Sequence, residues 1–527
     1  MPREVIVVLS NRRAKLTKGS GGALDDLREF LKYRVPGWEY TYAGKTYIDW
    51  KAKVAKGEAE EDEPQGWDGY RYLAEYGSVG TGVVLALKEK IEKELGIRFK
   101  ITDNRVAPAI SRDVAHDVSG KAVTEEAASA KSGKEKRAYQ EDCFDAMVGA
   151  SKTGGLILNA TGTGKTYITG KYLKALKGPA LFLVDELTLL KQAINELREV
   201  LREDIGEIGN SVFRPKRVTV ATIQTIHKHR FDATYVPWTR TLQAIIIDEV
   251  HLALNRRNFQ TIAAIRPPVI FGLTATLELK KRHVAYRAYD LCGPVVFEYP
   301  LQKGVQEGYL SKGLAVMVKV KNDVRKERIM GNPRWRWVRA AYKQRYQDLY
   351  REVIVEGSKR NAAILNLIET AHDMGKHVVV LVSRIQHLKD LSEALVVKHH
   401  TVYGEKKVEQ RRESQQMFED EKVRVILTNV VFKKGINIKR IDVIIDGAGM
   451  KSKNDAVQKY GRGVRLCDGK KGLIYFDIAD AGNSFDKAAK SRCAALKKLG
   501  IPVYKVDSTL GAGKILRLAQ KKLERMK

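Results

Sequence analysis

The sequence predicts an α/β protein: two consecutive parallel-sheet units wound with helices, behind a smaller N-terminal α+β region. Three observations predict this. From Arg137 onward, short and wholly apolar runs alternate with amphipathic stretches, the pattern of strands buried on both faces by covering helices. The alternation occurs twice in succession, and each series is of similar size. Before Arg137 the text is mixed, with glycine-rich turns and no such series.

Each element follows in order. Residues 5–9 form a strand, too short for the apolar region of a signal peptide. Residues 85–95 form an amphipathic stretch. Between them, Lys32, Tyr33, Trp38, Tyr40, Tyr42, Lys45, Tyr47 and Trp50 interleave cations with aromatics. Such a set can stack bases and grip phosphates; the alternative is aromatic strands packing a small core. Residues 1–118 are thus an accessory domain for which DNA binding stays open. Residues 119–136 are small and charged, and form a linker. Apolar runs at 156–158, 180–184, 218–221, 244–247 and 269–273 place a first lobe at 137–316. Runs at 378–382, 423–427, 443–445 and 473–476 place a second lobe at 317–485. Residues 321–374 read as mostly helical and carry Arg334, Trp335, Arg336 and Trp337, the tryptophans being either packed surface residues or a strand-separating wedge. Residues 486–527 form a basic helical tail ending in Lys521, Lys522, Arg525 and Lys527, a solvated or DNA-facing surface.

The bulk properties narrow the function. A chain of 527 residues exceeds one compact core and implies two to four domains. Lys+Arg 94 against Asp+Glu 63 gives a net charge of +31, with pI near 9.7. A surplus of that size implies a polyanionic partner, nucleic acid before an anionic membrane, because no long apolar run and no basic amphipathic anchor is evident. Cys143, Cys292, Cys467 and Cys493 lie far apart with no CxxC pair. That excludes the usual zinc spacings and a disulfide framework, and fits a reducing cytoplasm.

The strongest local signal is Asn159-Ala160-Thr161-Gly162-Thr163-Gly164-Lys165-Thr166, between an apolar strand and a helical stretch. Glycines there let backbone N–H groups wrap a phosphate. Lys165 is placed to sit between the β- and γ-phosphates of ATP, and the Thr166 hydroxyl to hold Mg²⁺. Asn159 stands where the usual pattern has glycine. Some eighty residues on, the run at 245–247 ends in Asp248-Glu249-Val250-His251. Two adjacent carboxylates at a buried strand tip are costly unless they meet a cation. Beside a magnesium nucleotide, Asp248 serves as a metal ligand, mainly through water, and Glu249 orients the attacking water. His251 senses the γ-phosphate or couples to the second lobe.

With the phosphate loop, Asp248-Glu249-Val250-His251 resembles the DEVH form of superfamily 2 helicases, and further signatures follow in that family's order. Arg137-Ala138-Tyr139-Gln140 resembles the adenine-reading element. Residues 182–197 and Thr222-Ile223-Gln224-Thr225 resemble the next two motifs; the resemblance implies nucleic-acid contacts at Thr222, Gln224 and Thr225. Thr274-Ala275-Thr276 is similar to the S-A-T element that couples hydrolysis to strand contact, implying that role for Thr274 and Thr276. Residues 380–384, with Ser383 and Arg384, look like the fourth motif. Thr428-Asn429 through Gly435-Ile436-Asn437 resembles the fifth, although many relatives carry aspartate in place of Asn437. Gln458-Lys459-Tyr460-Gly461-Arg462-Gly463-Val464-Arg465 matches Q-x-x-G-R-x-x-R, the sixth, whose arginines act as fingers on the γ-phosphate. The resemblance spans residues 137–480 and implies two RecA-like lobes. Within the superfamily the segment at 447–465 looks most like the UvsW-type branch-migration helicases of phages, with the XPB and RecG groups more distant.

These readings converge on one expectation. A monomeric, cytoplasmic enzyme (in the host cytoplasm if phage-encoded) uses ATP and Mg²⁺ to unwind or remodel forked, branched or single-stranded DNA. Both lobes grip one strand through its phosphates, so each closure around ATP moves one grip relative to the other, with steep salt dependence. A duplex translocase without unwinding, an RNA helicase, and an ATP-dependent clamp are the alternatives. No nuclease signature is evident, which disfavours a restriction motor. Intact Glu249, Arg462 and Arg465 argue against a pure clamp.

Overall fold

The computed structural model describes residues 3–19, 22–55, 65–74, 77–111, 137–321, 345–404, 408–429, 438, 440–449, 453–481 and 485–526. The expected linker at 119–136, the Arg334–Trp337 cluster and motif residues Gly435 and Asn437 lie outside the described residues. The chain divides into two compact units. Of the described residues, the first takes those within Met1–Gly120, Lys136–Leu158 and Thr166–Glu298; the second takes those within Asn159–Lys165 and Tyr299–Lys527.

In the first unit the N-terminal region builds a sheet from β1 (Arg3–Leu9), β2 (Arg13–Gly19), β5 (Ser78–Gly80) and β6 (Ile97–Asp103), in the order β5-β2-β1-β6. Strand β1 pairs antiparallel with β2 and parallel with β6. A separate ribbon joins β3 (Lys32–Arg34) to β4 (Tyr70–Tyr72). The expectation of aromatic strands needs correction. Trp38–Tyr40 is a 3-10 turn and Tyr42–Val54 a helix, whose start Thr41 caps by accepting a hydrogen bond from Gly44 N at 3.0 Å. Tyr47 and Trp50 are three residues apart, hence on one helix face, and Tyr47 packs on Trp50 at 5.3 Å and on Trp38 at 6.0 Å between ring centroids.

This region shares a core with the rest of its unit. Ala285 and Tyr286, on the helix Arg282–Leu291, belong to its buried cluster. Arg287 Nε donates to Tyr33 Oη at 3.0 Å, and Asn11 Nδ2 to Lys152 O at 2.7 Å. Gly82 permits the approach, because a Cβ there would stand 2.1 Å from Tyr289 O.

The larger sheet of this unit has, among the described residues, the order β10-β9-β11-β8-β12-β13-β7-β14. Its strands are β7 (Gly154–Asn159), β8 (Ala180–Val184), β9 (Gly206–Gly209), β10 (Val212–Arg214), β11 (Val218–Thr222), β12 (Ala244–Ile247), β13 (Val269–Thr274) and β14 (Val295–Tyr299). The pairs from β9 through β7 are parallel, and β10 turns back antiparallel on β9. Every residue of β8, β12 and β13 is buried. At roughly 1.5–3 kcal/mol for each large aliphatic side chain, such strands carry much of the unit's stability.

In the second unit the described strands are all parallel, in the order β17-β18-β16-β19-β20-β15-β21. They are β15 (Gly313–Lys321), β16 (Val378–Leu381), β17 (His400–Val402), β18 (Val425–Thr428), β19 (Val443–Asp446), β20 (Leu473–Ala481) and β21 (Val503–Asp507). Helices Ser358–Asp373 and Ala512–Glu524 cover one face. Helices Lys453–Gly463 and Asp486–Lys498 supply Tyr460 and Leu496 to the other. Two sequence expectations differ from this. Strand β15 straddles the expected lobe boundary at residue 316. The stretch expected as a helical tail supplies edge strand β21, and buries Ile515, Leu516, Ala519 and Leu523 in the core. No described helix is long and apolar enough to cross a membrane.

Candidate nucleotide and nucleic-acid sites

Strand β7 runs straight into the glycine-rich loop, and the helix Lys165–Ala175 leaves it. Gly162 and Gly164 hold φ of +88° and +77°, a region where any side chain is strained. Thr163 Oγ1 donates to Ala160 O at 2.8 Å and Lys165 Nζ reaches Asn159 O at 3.4 Å. Thr161 Oγ1 is buried with no hydrogen-bond partner among the described residues, so the loop presents a donor still to be used. Thr166, in the first helical turn, is half-buried.

Residues Asn159–Lys165 group with the second unit, and there they meet the sixth-motif segment. A Cβ on Gly162 would stand 3.3 Å from Arg465 Cγ, and one on Gly461 would stand 2.7 Å from Thr161 Cβ. The phosphate loop and the arginine segment therefore lie in contact. Gln458 and Arg462 are one turn apart on the helix Lys453–Gly463, and Arg465 follows its end. The backbone around Arg465 is pinned. Ser311 N and Oγ both donate to Val464 O, at 2.8 and 3.0 Å. Lys470 Nζ donates to Arg465 O at 2.9 Å and also to Gly463 O. Burial pushes the Lys470 ammonium down to about 7.

In the first unit, the acidic pair stands at the tip of β12. Asp248 N continues the ladder by donating to Leu183 O at 2.9 Å. Glu249 is left-handed at φ +49°, ψ +56°, an unfavourable conformation for a residue of its kind, and its N–H donates to Asp248 Oδ1 at 3.0 Å. Thr274, the last residue of β13, is buried, donates from Oγ1 to Glu249 Oε2 at 3.0 Å, and accepts from Thr276 N at 3.1 Å. His251 Nδ1 lies 3.2 Å from both Thr274 Oγ1 and Glu249 Oε2. The Glu249 side chain is 21% exposed. A carboxylate fixed at Oε2 yet reached by solvent can orient a water and accept its proton.

Other expected residues are more dispersed. Arg137 precedes the helix Ala138–Gly149; its Nη1 and Gln140 Nε2 each lie 3.4 Å from Tyr139 Oη. Thr222 is buried and caps a short helix, its Oγ1 accepting from Thr225 N at 3.3 Å and lying 2.8 Å from Thr225 Oγ1. Gln224 is exposed and donates to Asp185 Oδ1 at 2.8 Å. Ser383 is half-buried, and the exposed Arg384 carries its guanidinium 5.7 Å from the Tyr350 ring centroid. Thr428, at the end of β18, is fully buried. Sequence reasoning missed the Glu249–Thr274–His251 joint and the pinning of Arg465 by Ser311 and Lys470. The first couples residues 25 apart and the second joins residues more than 150 apart at Ser311; neither leaves a local spacing to read.

Comparison with known proteins bears on this geometry. Residues 133–279 match the family described as Type III restriction enzyme, res subunit. Residues 359–467 match the Helicase conserved C-terminal domain. Over 395 residues the chain is 24% identical to the DNA 3'-5' translocase XPB2 of Sulfurisphaera tokodaii, covering 68% of this chain and 84% of that protein. Over 376 residues it is 23% identical to the ATP-dependent DNA helicase uvsW of Enterobacteria phage T4, covering 67% of this chain and 70% of that one. A solved structure of a Saccharomyces cerevisiae Dbp5 variant bound to RNA and ADP BeF3 superposes with a TM-score of 0.51 at 14% identity, covering 76% of this chain and 96% of that one, a likeness of fold.

Proposed function

Because the chain belongs to the superfamily 2 helicases and carries both helicase regions, we propose that it is an ATP-dependent DNA helicase or translocase that remodels forked or branched DNA. The observation that carries this reading is the contact of the phosphate loop with the sixth-motif segment, Gly162 against Arg465 and Thr161 against Gly461. A lysine and an arginine brought to one glycine-lined loop suit a terminal phosphate, where negative charge grows as the phosphoryl group transfers.

In this mechanism the loop amides and Lys165 bind the phosphates, and Thr161 donates its unused hydroxyl to them. Gln140 with Arg137 reads the base. Thr166 and Asp248 would hold Mg²⁺, which when bound would offset phosphate charge. Glu249, fixed by Thr274, orients the water and takes its proton. Arg462 and Arg465 neutralise the transition state, with Gln458 on the same helix face as Arg462. Thr274 and Thr276 relay the state of Glu249 toward the strand contacts at Gln224 and Thr225, while Ser383 and Arg384 are the strand contacts expected of the second unit. The buried Thr222 and Thr428 fit a positioning role better than direct contact. Two of the relatives reported above are named for action on DNA, which supports DNA over RNA.

The test is steady-state ATPase across single-stranded, duplex, forked and four-way DNA, with RNA alongside, together with strand displacement on forks. The reading predicts the strongest stimulation by forked or four-way DNA and release of a product strand. Stimulation by blunt duplex with no released strand would leave a translocase. Stimulation greatest with RNA would overturn the choice of DNA.

A further inference from the structure

The first unit carries an exposed aromatic corner that none of the expected motifs uses. Phe231 is 81% exposed, and the guanidinium carbon of Arg230 lies 4.4 Å from its ring centroid. Beneath it is a fixed support. Arg230 Nη1 donates to His227 O at 2.6 Å, and His229 stacks on Tyr235 at 4.8 Å and 13° while its Nδ1 meets Asp232 Oδ2 at 2.5 Å. Tyr235 in turn packs on Phe213 at 4.3 Å. Phe213 and Val212 lie on β10, each 38% exposed, after a tight hairpin turn with Asn210 and Ser211 both at positive φ. Arg214, Lys228 and Arg230 are exposed around this corner.

The Phe231 ring, 81% exposed, is open to a partner from outside the chain. The exposed Asp232 is paired with His229, which leaves Arg214, Lys228 and Arg230 to favour an anion, and a ring that already carries a guanidinium suits a flat, electron-rich surface. The corner also lies at the end of the helix Ile223–Lys228 that begins beside Gln224 and Thr225, the expected phosphate contacts. Six residues of helix span about 9 Å, and stacked nucleotides advance about 3.4 Å each. Phosphates held at one end of that helix thus put a base of the same strand at the other, about three nucleotides on.

We infer that Phe231, backed by Arg230, is a base-stacking site for the single strand on which the protein tracks. This rests on the helicase reading and adds to it the residue that meets a base rather than a phosphate.

The test measures anisotropy of fluorescein-labelled thymidine and uridine oligonucleotides with the full chain over a range of salt. Phe231→Ala should weaken binding about fivefold to a hundredfold while leaving the slope of log affinity against log salt unchanged, because stacking releases no counterion. Phe231→Trp should restore affinity. Arg230→Ala should flatten that slope by about one. Thermal midpoints should stay at the unaltered value throughout. Phe231→Ala binding as tightly as the unaltered chain, or losing affinity together with thermal stability, would overturn the stacking site. Failure of the unaltered chain to bind either oligonucleotide would instead overturn the helicase reading beneath it.

Discussion

The two sheets both bear carboxylates on central strands and treat them in opposite ways. In the first unit, Glu249 is held by Thr274 and His251, partly exposed, on a strained backbone. In the second unit the acids are buried and answered by cations. Asp446 accepts two bonds of 2.8 Å from Lys459 and one of 2.6 Å from Tyr475; Asp477 receives Arg492 through two bonds of 2.6 Å; Asp480 meets Arg360 Nε at 3.0 Å. Burial works against the Arg492 charge, but Asp477 beside it more than reverses that and holds it firmly protonated. A strained, solvent-reached carboxylate held by a threonine hydroxyl suits chemistry. A buried, paired one fixes architecture.

The largest effect expected from this contrast is on turnover. Glu249→Gln keeps size and most hydrogen bonding but removes the base, so kcat should fall about a thousandfold, with the thermal midpoint unchanged. A comparable loss of stability in place of turnover would put Glu249 with the structural acids. Next, Arg492→Ala leaves Asp477 buried without its partner and should cost about 3 kcal/mol or more, read by urea unfolding. Full stability in that variant would remove the distinction from the other side.

A smaller effect concerns acid. Burial alone pushes the Asp446 carboxyl up, but Lys459 and Arg492 more than reverse it and leave it at about 2. An unfolded aspartate titrates at about 4. The folded value being the lower, this group's contribution is complete above about pH 4 and is lost as pH falls through about 2. Circular dichroism should show structure of the second unit lost within that window, and Lys459→Met should move the loss to higher pH. The smallest effect is expected at the joint itself: Thr274→Val removes a bond to a charged oxygen and should lower kcat about tenfold. Retention of nucleic-acid stimulation at the unaltered ratio in that variant would deny Thr274 its coupling role.

Much of the framework was legible. Residues 180–184 and 244–247 announce themselves because strands buried on both faces are apolar throughout. Strand β21 was not, because Val503–Asp507 is a half-exposed edge carrying Lys505 and Asp507. Strand β15 is apolar at its start, yet its place between β20 and β21 is set by partners 160 and 188 residues away. The site divides in the same way. Lys165, Asp248, Glu249 and Arg465 stand in local patterns, since phosphate and metal chemistry demand a loop and a strand tip. The left-handed turn at Glu249 and its bond to Thr274 belong to tertiary packing alone. Nor could sequence tell Asp446 from Glu249: each follows an apolar run, and only full burial against Lys459 on a neighbouring helix marks the structural one.

Central to the account is one phosphate-binding loop acting with the residues gathered at it. ATP hydrolysis by the unaltered chain and by Lys165→Ala, measured side by side with and without forked DNA, tests that directly. The account predicts DNA-stimulated turnover in the first and none above background in the second, with low-salt DNA binding largely kept by both. Turnover surviving in Lys165→Ala would contradict it.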